Sequence, residues 1–282
     1  MKKVFNLIIF AYLILFIYAL TTITYKTPHY ELHKGHKTHI VAHRGYSSLA
    51  RENSLKSLEI ANKSDCVDLL EIDVRLTKDN VLVLSHNNKI LKLGKKKFNV
   101  SNTNYDIIKN IKLIDKYDLP LNEETLNIKL VAIPTLLEAL KKINKIVIID
   151  IKYNKNITKL NKELLSIIDE FDNVILQSTS LEGLNDIHKR NEFLKCQLII
   201  DSHFDYINIP NYIYGICVRY NLIDIDKIKE LNNKKIFVWT INDIKTYKEV
   251  LSKLKLISNR VYFITDYPEL LCTYDNQEFL AL

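Results

Sequence analysis

From residue 133 onward the sequence keeps one rhythm: a short, nearly all-apolar run, then a stretch of helical period, then another apolar run. The runs are KIVIIDIK, NVILQSTS, KCQLIID, YGICVRY, KIFVWTI and RVYFITD. Between them lie amphipathic segments such as NKELLSIIDEF, GLNDIHKR, DKIKELNNK and KTYKEVLSKL, and PTLLEALKKI precedes them with Pro134 near its first turn, where proline is tolerated. Strands that are apolar on both faces belong to a parallel sheet covered by helices on both sides. HIVAH and LLEIDV, nearer the N-terminus, are of the same kind and bring the total to eight. VLVLSH is left out, because its short link to LLEIDV cannot make a parallel crossover. Eight such units predict an α/β fold, a (β/α)8 TIM barrel with a β-hairpin after strand 2. Its functional groups are then expected at the C-terminal ends of the strands.

The hairpin is the stretch LEIDVRLTKDNVLVLSH, from Leu70 to His86. Strict alternation puts Glu71, Asp73 and Arg75 on one face, with Ile72 and Val74 on the other. Asp79 and Asn80 tolerate a tight hairpin turn. As a two-residue loop they would pair Lys78 with Val81 and set Asp73 opposite His86. By itself this also describes an amphipathic hairpin with a solvated face. Neighbouring carboxylates repel, however, unless a cation or a proton lies between them.

Polar residues elsewhere fall where the barrel rule wants them. The apolar runs end in His43 and Arg44, in Asp150 and Lys152, in Gln177, in Arg219 and Tyr220, in Trp239 and in Asp266. Glu71, Asp73 and Asp150 form a hard-oxygen set suited to Mg2+ or Ca2+ and not to a soft metal. His43 and His86 can exchange protons near neutral pH. Arg44 and Lys152 supply positive charge for an anion, arginine with the geometry to hold phosphate through two bonds. Together these describe phosphodiester cleavage.

With 282 residues, and only five Gly and five Pro, the chain has length for one large domain and no Pro/Gly-rich linker. A net charge of +7 suits anionic membranes or phosphate-bearing substrates. Nucleic acid is not expected as a partner, since no zinc finger, RNP-like motif or basic helix with interleaved aromatics is present. Cys66, Cys196, Cys217 and Cys272 are widely spaced in or near apolar runs, and the expectation is four buried free thiols without a disulfide framework. Residues 87–130, with the cluster Lys95-Lys96-Lys97, read as an irregular surface insertion.

Met1-Lys2-Lys3 precedes VFNLIIFAYLILFIYAL, an apolar segment of about 25 Å as a helix, and extension through Tyr25 takes it past the roughly 30 Å hydrocarbon core. Residues 1–25 are therefore expected to be an uncleaved single-pass membrane anchor, with a cytoplasmic N-terminus and an extracytoplasmic domain. A cleaved signal peptide and a secreted domain form the alternative, although Tyr18-Ala19-Leu20 offers no small-x-small site. Residues 26–38 read as a tether. Its His29, His33 and His36 lie among Pro28 and Gly35 and do not make a metal-binding helix. The barrel occupies 39–282.

The motifs His43-Arg44-Gly45, Glu52-Asn53-Ser54, Glu71-x-Asp73 with Thr77 and Asp79, and Ser85-His86 come in that order. They are followed by Ile133-Pro134-Thr135-Leu136, Ile149-Asp150-Ile151-Lys152, Gln177-Ser178, Trp239-Thr240-x-Asn242 and Ile264-Thr265-Asp266-x-Pro268. Nine motifs in register make the chain resemble the glycerophosphodiester phosphodiesterases, whose barrel is related to that of sphingomyelinase D. The resemblance implies His43 and His86 as general acid and base, and a divalent cation on Glu71, Asp73 and Asp150. It implies substrate binding by Arg44, Lys152, Gln177 and Trp239, with glycerol 3-phosphate and a free alcohol as products. In such enzymes the glycerol 2-hydroxyl can act as internal nucleophile and give a cyclic phosphate that water opens.

Two positions depart from the family pattern. Asn87 stands where Asp usually follows the second histidine, and Asp150 where the third metal position is usually Glu, though sphingomyelinase D enzymes share Asp-x-Lys there. Two other readings follow: phospholipase D-type cleavage of lysophospholipids or sphingolipids, and a headgroup-binding pseudoenzyme. Against the latter stands the full set of costly buried polar groups.

Overall fold

The computed structural model describes residues 38–91, 97–111, 113–114, 130–154, 156–200, 209–231 and 233–280. In chain order its strands are β1 (His39–Ala42), β2 (Leu69–Leu76), β3 (Leu82–Leu84), β4 (Lys89–Leu91), β5 (Lys97–Asn99), β6 (Leu113–Ile114) and β7 (Leu130–Val131). They continue with β8 (Ile146–Ile151), β9 (Val174–Ser178), β10 (Cys196–Ile200), β11 (Ile213–Arg219), β12 (Lys235–Trp239) and β13 (Val261–Thr265). All eight apolar runs are strands of one parallel sheet, ordered β1, β2, β8, β9, β10, β11, β12, β13, and β13 pairs back onto β1. The sheet is thus closed as the expected (β/α)8 barrel.

Helices cover the outside and start where capping side chains stop the extended chain. Ser54 caps Leu55–Lys63, Thr135 caps Leu136–Leu140, and Asn156, Ser180, Asp224 and Asp243 cap the helices that follow β8, β9, β11 and β12. Each accepts a backbone N–H that the first turn would otherwise leave unpaired. Thr135 is the cap, so Pro134 lies one residue before it and outside the first turn. Helix stripes such as Leu160, Leu164 and Ile168 face the sheet, whose Ile72, Ile149, Ile216 and Val238 are fully buried. Each such side chain contributes about 1.5–3 kcal/mol by leaving water.

The hairpin differs from its expected register by one residue. Leu76 pairs with Leu82 and Val74 with Leu84, while the Thr77 N–H donates to the Val81 carbonyl. The loop therefore has three residues, closing on Asn80 in the left-handed region at φ 69°. Thr77 Oγ1 accepts from the Val81 N–H and donates to Asp79 Oδ1, which fixes this longer turn. Asp73 consequently faces Ser85, and β3 ends at Leu84, two residues before His86.

The region after the hairpin is more ordered than expected where it is described. β4 pairs with β5 and β6 with β7, and a small separate core of Val83, Ile90, Val100, Ile108, Ile111, Leu113 and Ile133 lies beneath them. The anchor, residues 26–37 of the tether, Lys95 and Lys96 lie outside the described residues. Among those described, no helix is long and apolar enough to cross a membrane.

The expectation of four free thiols is corrected. Cys196 and Cys217 are free and buried, but Cys66 and Cys272 form a disulfide with Cα atoms 5.5 Å apart. Closure of the ring explains the pairing: β1 lies between β2 and β13, so the helix after β13 (Pro268–Leu280) packs against β1 and brings Cys272 to the Cys66 loop. The bond spans 206 residues of sequence and restricts the unfolded chain over most of the domain. Cys66→Ser is expected to lower stability by about 2–5 kcal/mol in urea denaturation, with reductant lowering the parent to match and leaving the variant unchanged.

Candidate active site

Each part of the cleft is set by a local demand of the backbone. Past β1 the chain turns sharply at Arg44 (φ 57°) and Gly45 (φ 77°). A Cβ on Gly45 would stand 2.6 Å from Ser57 Oγ, so only glycine fits there. Arg44 has no such excuse, and a left-handed arginine costs about 1–2 kcal/mol. Its carbonyl accepts from the Asn53 N–H at 2.9 Å and its N–H donates to Glu71 Oε2 at 2.9 Å, which holds it there.

Parallel register makes the acidic floor. Asp73 of β2 is level with Asp150 of β8, and Asp150 with Gln177 of β9. Glu71, Asp73 and Asp150 are buried, and each offers an oxygen within 4.8 Å of the others. Asn53, also left-handed, donates to Asp73 Oδ2 at 2.8 Å and accepts from the Asp73 N–H at 3.0 Å. Lys152 Nζ bridges Asp150 (2.6 Å) and Asp73 (3.2 Å), and Arg44 Nε lies 3.2 Å from Asp73.

Burial drives the Glu71 carboxyl well above the usual range, and the charge of Asp73 adds to it. Asp150 also rises through burial, although Lys152 opposes the rise. Burial would raise Asp73 too, but Lys152 and Arg44 outweigh it and hold this acid below its ordinary value. The floor therefore lacks positive charge for three carboxylates. Compact, all-oxygen and buried, it fits a hard divalent cation.

Two histidines face this floor from different elements. Asp266 Oδ1 is 2.8 Å from His43 Nδ1 and takes a hydrogen bond from Ser47, while Asn242 donates to its other oxygen at 2.7 Å. A carboxylate held this way fixes the imidazole and leaves Nε2 for the cleft. Burial alone would lower the His43 pKa, but the bond to Asp266 and the charge of Glu71 raise it above 6.5. His86 is placed through its backbone, since the Arg75 guanidinium donates to its carbonyl at 2.9 and 2.7 Å. Burial lowers the His86 pKa, and Arg44 and Lys152 keep it low against the pull of Asp73. Asn87 Oδ1 lies 3.2 Å from its Nδ1, an amide acceptor without the charge of a carboxylate.

All nine residues singled out in the sequence line one cleft of about 360 Å³: His43, Arg44, Glu71, Asp73 and His86, then Asp150, Lys152, Gln177 and Trp239. Gln177 Oε1 accepts from Gln197 Nε2 at 2.6 Å, and Trp239 Nε1 donates to the Cys217 carbonyl at 3.3 Å. The wall away from the acids is apolar, with Ile199, Cys217 and Ile264. Arg75, Asn53, Asp266, Asn242 and Arg219 were given no role from the sequence. Arg75 shares the alternating face of the two acids, and Asp266 and Arg219 end apolar runs. The asparagines carry no periodic signal and stand out only within motifs.

A TIM barrel with an acidic floor and a cationic rim at its C-terminal mouth defines the class of protein. The sequence profile of the glycerophosphoryl diester phosphodiesterase family matches residues 43–270, and the chain belongs to that family as a phosphoric diester hydrolase. The chain is 25% identical to YhdW of Bacillus subtilis over 245 residues, covering 82% of this chain and 95% of that one. It is 28% identical to glycerophosphodiester phosphodiesterase GDPD4 of Arabidopsis thaliana over 242 residues, covering 77% and 68%. In fold it is similar to the Thermotoga maritima glycerophosphodiester phosphodiesterase (TM-score 0.65, 24% identity, 85% and 99% covered). An Oleispira antarctica phosphodiesterase, solved with its product sn-glycerol-3-phosphate, is similar at TM-score 0.65 and 19% identity, with 83% and 95% covered.

The His43–Asp266 pair has a definite pH signature. The raised His43 pKa stabilises the fold fully below pH 6.5, and this is lost as pH rises through the folded value. The depressed Asp266 pKa stabilises it above 3.8, and this is lost as pH falls through the folded value. In an NMR titration the His43 ring should turn over above 6.5 and the His86 ring below it. Asp266→Asn should bring the His43 midpoint down and leave that of His86 unmoved.

Proposed function

We propose that this hydrolase converts glycerophosphodiesters to glycerol 3-phosphate and an alcohol by histidine acid–base catalysis at a divalent-cation site. One observation carries the reading: two histidines line the same acidic cleft, His43 held by the Asp266 carboxylate and His86 beside a neutral amide, so their pKa values are pushed apart. Such a split is what separates an acid from a base at one pH.

His86, the neutral partner, is the general base and takes the proton of the attacking hydroxyl, either water or the substrate's own 2-hydroxyl, and in the latter case water then opens the resulting cyclic phosphate to glycerol 3-phosphate. His43, protonated and held by Asp266, is the general acid and gives its proton to the departing alcohol oxygen. Arg44 and Lys152 hold the phosphoryl oxygens, and Gln177 and Trp239 shape the space around the two alcohols. Glu71, Asp73 and Asp150 would hold Mg2+ or Ca2+, which when bound supplies Lewis-acid stabilisation of the charge that grows on the phosphoryl group. Product binding at a similar fold in the Oleispira antarctica enzyme supports the substrate class.

The domain acts outside the cytoplasm, tethered by residues 26–38 to a single-pass anchor at 1–25. Its disulfide supports this side of the membrane, because such bonds persist in oxidising compartments.

Full-length protein in detergent should release glycerol 3-phosphate from glycerophosphodiesters with Mg2+ or Ca2+, and lose the activity to chelator. His43→Ala and His86→Ala should each lower kcat by about 10²–10⁴-fold with the barrel still folded by circular dichroism. A plot of kcat/KM against pH should be a bell: rate falls below 6.5 as His86 protonates, and above 6.5 as His43 loses its proton. Full activity in either variant, or in chelator, would overturn the mechanism.

A further inference from the structure

Arg219 has no part in the chemistry proposed above, yet it stands at the mouth of the same cleft. It is the last residue of β11, its side chain is exposed, and its Cζ lies 4.8 Å over the ring of Trp239, the last residue of β12. Among the described residues no carboxylate pairs with it. In the eight-strand ring β11 lies across from β2 and β12 across from β8, so Arg219 and Trp239 face the acidic floor from the opposite side. The same cleft is lined by the apolar Ile199, Cys217 and Ile264.

We infer that Arg219 determines specificity, selecting glycerophosphodiesters whose second alcohol carries a negative charge and disfavouring cationic headgroups. The inference rests on the phosphodiesterase reading of the site. Glycerol is uncharged, so whatever charge discrimination occurs beyond the scissile phosphate must read the other alcohol. An aromatic face is the usual means of holding a quaternary ammonium. Here a guanidinium already covers that face. A choline-like group would have to displace it or lie beside a like charge in a confined cleft, where a unit charge a few ångströms away acts strongly. The three carboxylates lining the cleft cannot offset this, because Lys152 and Arg44 engage two of them and all three are buried. An alcohol with a carbon stem on the apolar wall and an anionic end at Arg219 meets both surfaces.

The test varies the charge of the second alcohol, with an isosteric pair for the cationic and neutral cases. Three glycerophosphodiesters are compared, with choline, its neutral carbon isostere 3,3-dimethylbutanol, and 4-hydroxybutyrate as the second alcohol. In the parent, kcat/KM for the anionic ester should exceed that for the choline ester by about 10–100-fold, the neutral one falling between. Arg219→Gln should bring that ratio within about threefold, and Arg219→Lys should restore most of it, each with parental melting temperature. A preference for choline in the parent, or a ratio unmoved in Arg219→Gln, would overturn the inference and leave the phosphodiesterase reading intact. Failure of the parent to turn over even the neutral ester would overturn both.

Discussion

Three carboxylates brought within 4.8 Å of one another in the interior of a barrel mouth are the constraint on which the rest of this structure depends. Like charges at that spacing cannot all be ionised without compensation. The surroundings are arranged to provide it. Lys152, two residues beyond Asp150 on the same face of its strand, bridges two of the acids, and Arg44 approaches Asp73 from the turn after β1. The third acid, Glu71, receives a backbone N–H. These contacts compensate Asp73 most and Glu71 least, which leaves the floor able to accept further positive charge.

The same constraint explains the unusual backbone. Arg44 and Asn53 are both left-handed without being glycine. Straightening either would withdraw a hydrogen bond from the acidic floor: the Arg44 N–H from Glu71, or the two reciprocal bonds of Asn53 to Asp73. The barrel sheet is closed and its strands are mostly apolar, so it tolerates this local strain at its mouth. Stability and chemistry are thereby assigned to different levels of one fold.

The barrel was legible because burial on both faces leaves an unmistakable pattern, and the nine cleft residues because polarity at the end of an apolar run is conspicuous. What escaped was set by local or distant closure. A two-residue and a three-residue hairpin loop share the letters Asp79-Asn80, and the Thr77 side chain selects the longer one, moving Asp73 from His86 to Ser85. His86 still reaches the cleft, since Arg75 clamps its carbonyl beyond the end of β3. The Cys66–Cys272 bond was hidden for a different reason, as two residues 206 positions apart meet only when the last helix packs back beside β1.

The two departures from the family pattern carry unequal weight. Asp150 is a methylene shorter than glutamate, yet its oxygen lies within 4.8 Å of those of Glu71 and Asp73, so register with Asp73 supplies the reach that the side chain lacks. Asn87 changes charge and not merely length. An amide beside His86 Nδ1 orients the ring as a carboxylate would, and its hydrogen bond pulls the His86 pKa up without the added charge of a carboxylate. A carboxylate there would raise the pKa of a histidine that burial, Arg44 and Lys152 now hold low, narrowing its separation from His43. Asn87 thus opposes burial and the cationic rim less than a carboxylate would, whereas Asp266 gives His43 a fully charged partner.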